Sequence, residues 1–203
     1  MVEENQANLK QPEKRALWQK NYKNTRYLPL LFFVIFVTVL GLTIPHFLTL
    51  RNIINILRQS SALGLMTIGM TIVLITGGMD LSIPPVMALA GILGAMYMRA
   101  TGESFLGGLI MVAVATSLGA INGLAVAYLK MVPFVVTLSM MYIATGAATW
   151  LTREKSIADL PPRFIDFIMS KVGFMPTVVI FLVVITLFVA IVMRRSVNGR
   201  WLY

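Results

Sequence analysis

The chain lacks cysteine altogether, has one histidine, and carries charge on only 12% of its 203 residues. Without cysteine it can form neither a disulfide nor a thiolate metal site. The single histidine, His46, leaves no metal cluster and no nucleophile–base pair. The chain also has no glycine-rich phosphate loop with its Lys-Ser or Lys-Thr pair, so we expect no ATP hydrolysis. We therefore predict that the protein is not an enzyme and uses no metal or cofactor.

Apolar residues are abundant instead: they make up 58% of the chain, and the mean hydropathy is +0.82. Several apolar runs reach the length of a membrane-spanning helix, and unpaired backbone groups in lipid are too costly for an open structure. The net charge of +9 comes from basic residues that cluster beside these runs, where they contact anionic lipid. We therefore expect the protein to contact membrane lipid and not to bind nucleic acid.

These patterns predict an all-α, polytopic helical membrane protein with about six transmembrane helices. A basic tail, residues 1–27, precedes the membrane domain at 28–193, and residues 194–203 follow it. Because lysine and arginine are concentrated before the first span and after the last, both termini are predicted to be cytoplasmic. The predicted spans are residues 28–44, 60–78, 83–98, 106–129, 132–151 and 176–193.

Residues 47–58 are open to two interpretations. Phe47, Leu50, Ile54 and Leu57 recur at spacings of three and four, which is typical of an amphipathic helix lying in the membrane interface. The alternative is that this segment is the polar beginning of the second span.

Small residues predict where the spans pack closely. Such residues let a neighbouring backbone approach, so the third and fourth spans are expected to lie against other helices. They are Ala88, Gly91 and Ala95 in the third span, and Ala115, Gly119, Gly123 and Ala127 in the fourth.

The long polar connection at residues 152–174 carries charges of both signs. Mixed charge is compatible with a loop outside the cytoplasm. Pro161 and Pro162 predict the start of a short helix there. The alternative is a docking surface for a partner on the outer side.

The apolar run at residues 63–98 is too long for one span. As a single helix it would measure about 54 Å, against roughly 30 Å of hydrocarbon. The break is predicted at Gly77 and Gly78, whose backbone is permissive, with Asp80 or Ser82 capping the next helix. This segment is either a capped turn at the cytoplasmic interface or a deeper break that binds solute or supports a gate.

Asn122 borders the small-residue stripe of the fourth span. A buried asparagine in lipid must find a partner, so it either joins helices or lines a pathway. Of the two interpretations, we favour a helix-joining hydrogen bond.

Two segments resemble one family. GMTIVLITGGMDLSIPPVMALAG, residues 69–91, is similar to the characteristic segment of bacterial ABC importer permeases of the ribose, or simple-sugar, type. INGLAVAYLKMVPFVVTLSMMYIATG, residues 121–146, carries the Asn-Gly and Pro-Phe…Thr-Leu pattern of that family, and LPPRF at 160–164 also fits. The resemblance implies the N-terminal part of a ten-span permease fold. It also implies that residues 194–203 begin the cytoplasmic coupling loop, so the sequence reads as a fragment or a truncated product.

The function implied by the resemblance is import of a ribose-like monosaccharide across the bacterial inner membrane. The implied partners are an ABC ATPase subunit, a periplasmic sugar-binding protein and a second permease subunit in a homo- or heterodimer. Autoinducer-2, nucleoside and branched-chain amino acid permeases are the alternatives within that class. Outside it, an ion-coupled carrier or channel that uses Asp80, or a fragment without transport activity, remains open. The candidate pathway or gate residues are Gly77, Gly78, Asp80, Ser82, Asn122, Phe134 and Thr137.

Overall fold

A computed structural model describes residues 27–195, in which the regular elements are helices apart from one short hairpin. The predicted N-terminal tail, except its last residue, and the segment after Arg195 lie outside the described residues. The helices are α1 Leu28–Thr43, α2 Leu50–Ile75, α3 Ile83–Thr101, α4 Ser104–Ala127, α5 Pro133–Thr152, α6 Pro162–Met169 and α7 Thr177–Arg195. The hairpin is β1 Lys171–Val172 and β2 Met175–Pro176, paired antiparallel.

Five of these helices, α2, α3, α4, α5 and α7, are long and apolar enough to cross a membrane. The sixth apolar helix, α1, has 16 residues, which is about 24 Å at 1.5 Å per residue. Every predicted span therefore contains an apolar helix. The all-α, multi-pass architecture expected from the composition is confirmed.

The interpretation of residues 47–58 as a separate interfacial helix is wrong. One continuous helix, α2, begins at Leu50 and runs for 26 residues to Ile75. The polar segment is the first part of this helix, as the alternative held. The apolar and polar positions at 50–58 have helical spacing in either arrangement, so their periodicity could not reveal that the helix continues beyond Arg58.

The described residues fall into two compact units, divided at Ile53. In the first unit α1 has no buried residue. It is followed by a turn in which Thr49 Oγ1 donates to the His46 carbonyl at 2.7 Å and Asn52 Nδ2 donates to the Phe47 carbonyl at 2.7 Å. The exposed apolar surface of α1 suits a lipid-facing helix.

The second unit has α3, α4 and α5 packed against one another, a group that we call the bundle. Its core is formed by Val86 and Leu89 of α3 with Met140 and Ala144 of α5, and α4 adds Ala115 and Leu118 at the edge. In lipid the association of helices depends on packing rather than on exclusion of water. The fit of these side chains is therefore what holds the bundle together.

Two backbones of the bundle approach closely between Gly94 of α3 and Gly107 of α4. A Cβ atom built on Gly94 would lie 2.6 Å from the Gly107 carbonyl oxygen. Neither glycine belongs to the predicted small-residue stripes. The third and fourth spans do lie against other helices, as predicted, and Ala95 is buried while Ala115 packs on the core. The glycines of the predicted stripes are not at the contact, because a Cβ on Gly91, Gly119 or Gly123 would have nothing within 4 Å among the described residues.

The connection between α5 and α7 contains the short helix predicted from the proline pair. Helix α6 begins at Pro162 and is followed by the hairpin. Arg58 of α2 reaches this connection: its Nη2 donates to the Met169 carbonyl at 3.4 Å, and its Nη1 lies 3.2 Å from the Met169 sulfur. A cation at the last carbonyl of a helix is favourable, because the helix dipole is negative there.

Candidate functional site: the loop between α2 and α3

Helix α2 ends in a glycine-dependent cap. Gly77 has φ +76°, in the left-handed region. The Gly78 N–H donates to the Val73 carbonyl at 3.1 Å, and the Gly77 N–H donates to the Leu74 carbonyl at 3.0 Å. These two bonds form a Schellman motif, which satisfies carbonyls that the helix end leaves free. Gly77 is therefore required for its backbone conformation.

Asp80 organises the loop that follows. Its Oδ1 accepts the Ser82 N–H at 2.8 Å and the Ser82 hydroxyl at 2.6 Å. Ser82 occupies the N-cap position of α3, but its side chain makes no capping bond to that helix. The predicted capping by Asp80 or Ser82 is therefore wrong. Pro84 and Pro85 lie in the first turn of α3, so two of the N–H groups that a side-chain cap would satisfy are missing.

A buried asparagine joins this loop to α4. Asn122 is 5% exposed, and its Nδ2 donates to Ser82 Oγ at 2.9 Å. The Ser82 hydroxyl in turn donates to the Asp80 carboxylate. The amide, the hydroxyl and the carboxylate therefore form one chain of hydrogen bonds. The favoured interpretation of Asn122 as a helix-joining residue is confirmed, and its partner lies 40 residues earlier in the chain.

A second hydrogen bond joins the loop to α5. Thr137 is 4% exposed, and its Oγ1 donates to the Met79 carbonyl at 3.1 Å. This bond satisfies a backbone acceptor that the irregular loop leaves outside any helix. Together, Asn122 and Thr137 attach residues 79–82 to both α4 and α5.

The structure brings six of the seven candidate residues into this site. Gly77, Gly78, Asp80 and Ser82 form the loop, and the side chains of Asn122 and Thr137 bind it. Phe134 is different: its side chain is 47% exposed, and it contributes its backbone carbonyl, to which Thr137 Oγ1 is 3.4 Å distant. Sequence reasoning missed Met79, since its role depends on a backbone oxygen and nothing in its side chain signals it.

A cleft of about 510 Å³ opens beside the loop, between α2, α3 and α4. Asp80 and Ser82 are the polar residues at its loop end, and its walls are apolar and include three methionines. The wall residues are Leu65 and Met66 of α2, Ile83, Val86, Met87, Ala90 and Gly91 of α3, and Met111, Val112, Ala115 and Gly119 of α4.

The chemistry available in the cleft follows from its polar end. Asp80 is partly exposed, so a solute that carries hydroxyl or ammonium donors can reach its carboxylate. An acidic side chain inside a helical membrane domain commonly marks a pathway or a gate. The loop is held to α4 and α5 by the hydrogen bonds from Asn122 and Thr137.

Bundle, loop and cleft together define a multi-pass helical membrane protein with a partly exposed carboxylate in the loop between two of its helices. The family described as branched-chain amino acid transport system, permease component, matches residues 52–203. The chain belongs to this permease family. No solved structure matches the chain.

Several curated proteins are similar to the chain. The D-allose transport system permease protein of Escherichia coli strain K12 is 32% identical over 202 residues, 98% of this chain and 60% of that protein. The galactofuranose transporter permease protein of the same strain is 35% identical over 151 residues, covering 73% of this chain and 44% of the relative. The Escherichia coli ribose import permease protein is 29% identical over 128 residues, which cover 63% of this chain and 40% of that protein. The chain spans about half the length of the curated relatives it matches.

Proposed function

We propose that the chain is part of the membrane-spanning subunit of an ABC importer that moves a ribose-like monosaccharide across the bacterial inner membrane. The observation that carries this proposal is the D-allose permease similarity, which extends over 98% of the chain. The galactofuranose and ribose permeases support the same substrate class. The partners are an ABC ATPase subunit, a periplasmic sugar-binding protein and a second permease subunit.

Residues 77–82, with Asn122 and Thr137, serve in this proposal as a gate beside the solute pathway. Asp80 would accept hydrogen bonds from the solute at the polar end of the cleft, the buried Ser82 would hold the Asp80 carboxylate in place, and Gly77 gives the loop its reversal. Sugar hydroxyls suit such an end because each is both a donor and an acceptor. Phe134 is the weakest member, because its side chain is 47% exposed and the recorded bond to Thr137 uses its backbone carbonyl.

The decisive experiment is uptake in bacterial cells that lack the gene, with radiolabelled pentoses and hexoses. Loss of uptake of one sugar, restored by the gene and not by its Asp80→Asn variant, is expected. The neighbouring Met79→Leu variant is the matched control, since the Met79 contact with Thr137 uses the backbone carbonyl. Unchanged uptake of every sugar in the panel would contradict the proposal.

A branched-chain amino acid is the second candidate solute, because the family description names that substrate class. Its ammonium group would bind Asp80 as a charge-assisted hydrogen bond. Labelled leucine, isoleucine and valine therefore belong in the same panel. Loss of their uptake, with sugar uptake intact, would favour this candidate over the sugar.

The ABC mechanism is tested separately from the solute. Copurification of the permease with an ATPase subunit, and uptake that stops when cellular ATP is depleted, are expected. Uptake that persists without ATP and collapses with the ion gradient would instead identify an ion-coupled carrier that uses Asp80.

The proposed orientation has the 76–82 loop on the cytoplasmic side and the α6 connection outside. Since the chain has no cysteine, single cysteines report accessibility without background. Glu103→Cys and Lys155→Cys should react with an impermeant maleimide in intact spheroplasts, and Lys130→Cys should react only after permeabilisation. The reverse pattern would overturn the orientation and the cytoplasmic location of the chain termini.

A further inference from the structure

Arg58 of α2 holds one residue of α6 at two points. Its Nη2 donates to the Met169 carbonyl at 3.4 Å, and its Nη1 donates to the Met169 sulfur at 3.2 Å. Met169 is the last residue of α6, so its carbonyl has no partner within that helix. The bond to the carbonyl fixes the position of this residue beside Arg58. The strength of the second bond then depends on the acceptor that the side chain offers.

A thioether is a poor partner for a guanidinium. Its sulfur is only a weak acceptor, whereas the guanidinium carries several N–H donors in a fixed fork. One of these donors is left over, since Arg58 Nε is buried and has no hydrogen-bond partner among the described residues. A buried donor without a partner costs free energy. The contact between Arg58 and Met169 is therefore incomplete while the side chain offers sulfur alone.

The Met169 side chain is open to reagents in solution. It is 51% exposed, and no residue of α6 is buried. Met98 and Met140 differ in this respect, because both are buried between the helices of the bundle. Oxidation of a methionine in such a core would place a polar oxygen among apolar side chains. At Met169 the added oxygen would instead lie at the surface, beside a cation.

Oxidation would supply the acceptor that the contact lacks. Hydrogen peroxide transfers one oxygen atom to a thioether: a sulfur lone pair forms the S–O bond as the O–O bond breaks. The proton on the transferred oxygen passes to the leaving hydroxide, which departs as water. Sulfur loses two electrons and the peroxide gains them. The product, methionine sulfoxide, is polar, and a hydrogen bond from a charged donor to oxygen is roughly twice as strong as one between neutral groups.

We propose that Met169 is a site of reversible oxidation, and that its sulfoxide oxygen accepts hydrogen bonds from the Arg58 guanidinium and tightens the contact between α2 and α6. Helix α6 packs on α7 rather than on α2, so this pair of side chains decides how firmly the two helices are joined. Methionine sulfoxide reductases restore the thioether, which makes the change reversible. The proposal goes beyond transport and does not depend on the solute.

Mass spectrometry of proteolytic peptides tests the site. The chain, reconstituted in lipid nanodiscs, is treated with hydrogen peroxide for increasing times, and the gain of one oxygen is followed at each methionine. Met169 should be oxidised well before Met98 and Met140, because their sulfur atoms are buried. A Met169 that stays unmodified after either of these has reacted would overturn the proposal.

Thermal unfolding of the same samples, followed by circular dichroism, tests the effect. Oxidation should raise the midpoint by about 2–4 °C relative to oxidised Met169→Leu, the shift expected for one added hydrogen bond in a chain of this size. Met169→Leu keeps the volume of the side chain and has no sulfur there. Arg58→Leu leaves Met169 oxidisable and removes the donors, so it should show no gain either. Other exposed methionines react in all three chains, and the differences between the chains therefore isolate this contact.

Met169→Gln supplies an acceptor without any oxidant. Its side chain is unbranched and carries a carbonyl oxygen, so the midpoint should exceed that of Met169→Leu before peroxide is added, and Arg58→Leu should cancel the gain. Methionine sulfoxide reductase should return the oxidised chain to its starting midpoint. A gain that survives Arg58→Leu, or equal changes on oxidation in the unmodified chain and in Met169→Leu, would overturn the proposal.

Discussion

The bundle and α2 are built from similarly apolar helices, but they are packed in opposite ways. Helix α3 buries six of its 19 residues against its neighbours, whereas α2 buries two of 26. The difference in burial between the two helices depends on what surrounds their glycines. Gly94 and Gly107 bring two backbones into contact, while Gly69 of α2 faces open space. Apolar composition selects a membrane helix, and the position of its small residues decides whether the helix is fixed or free.

The largest effect should come from one substitution made in both regions. Gly94→Ala places a methyl group 2.6 Å from the Gly107 carbonyl oxygen, so we expect a loss of about 1–3 kcal/mol of unfolding free energy from overpacking. Gly69→Ala has room and should stabilise the helix by up to about 1 kcal/mol. Detergent-micelle unfolding followed by circular dichroism measures both. Equal effects of the two variants would remove the contrast between the regions.

Removal of the link between α4 and the loop should have the next largest effect. Asn122→Ala takes away the donor to Ser82 Oγ, and leaving a buried polar group without its partner costs about 1–3 kcal/mol. Ser117→Ala is the matched control on the same helix, because Ser117 is exposed and bonds within α4. Unfolding midpoints that fall equally in the two variants would contradict a specific role for Asn122.

The link to α5 should be weaker. Thr137→Val keeps the shape of the side chain and removes the bond to the Met79 carbonyl, for an expected loss of about 1 kcal/mol. Thr145→Val is the control, since that hydroxyl bonds within α5 at an exposed position. The same unfolding assay applies, and a larger loss for Thr145→Val would show that the Met79 bond contributes nothing.

Asp80→Asn should have the smallest effect on stability. Its effect on uptake should be large. The amide oxygen can still accept from Ser82, so the loop should keep its hydrogen bonds and lose only their charge assistance, less than about 1 kcal/mol. Uptake of labelled sugar in complemented cells should nevertheless fall. Full uptake by this variant would restrict Asp80 to a structural role.

Much of this organisation could be predicted from particular residues. The length of the apolar run at 63–98 forced a break, and the glycine pair located it, because few residues other than glycine adopt the conformation of Gly77. The need of Asn122 for a hydrogen-bond partner followed from the cost of an unpaired amide in lipid. These predictions depend on local chemistry, which the sequence contains in full.

Contacts between distant segments could not be predicted in the same way. Small residues show that a helix can be approached closely, but not by which helix. The stripe that includes Gly119 and Gly123 was therefore mistaken for the contact made by Gly94 and Gly107. Similarly, the sequence indicated that Asn122 needs a partner without indicating Ser82. The misplaced start of α2 has a different origin: the spacing at positions 50–58 is helical whether the helix ends at Arg58 or continues, as it does, to Ile75.

The central claim is that the loop after α2 is held by the bundle through a specific buried contact. A double-mutant cycle on Ser82→Ala and Asn122→Ala, read as unfolding free energies in micelles, tests it most directly. We predict a coupling energy of about 1 kcal/mol or more, because the two side chains share one hydrogen bond at 2.9 Å. A coupling energy of zero, with each single variant still destabilised, would contradict the claim.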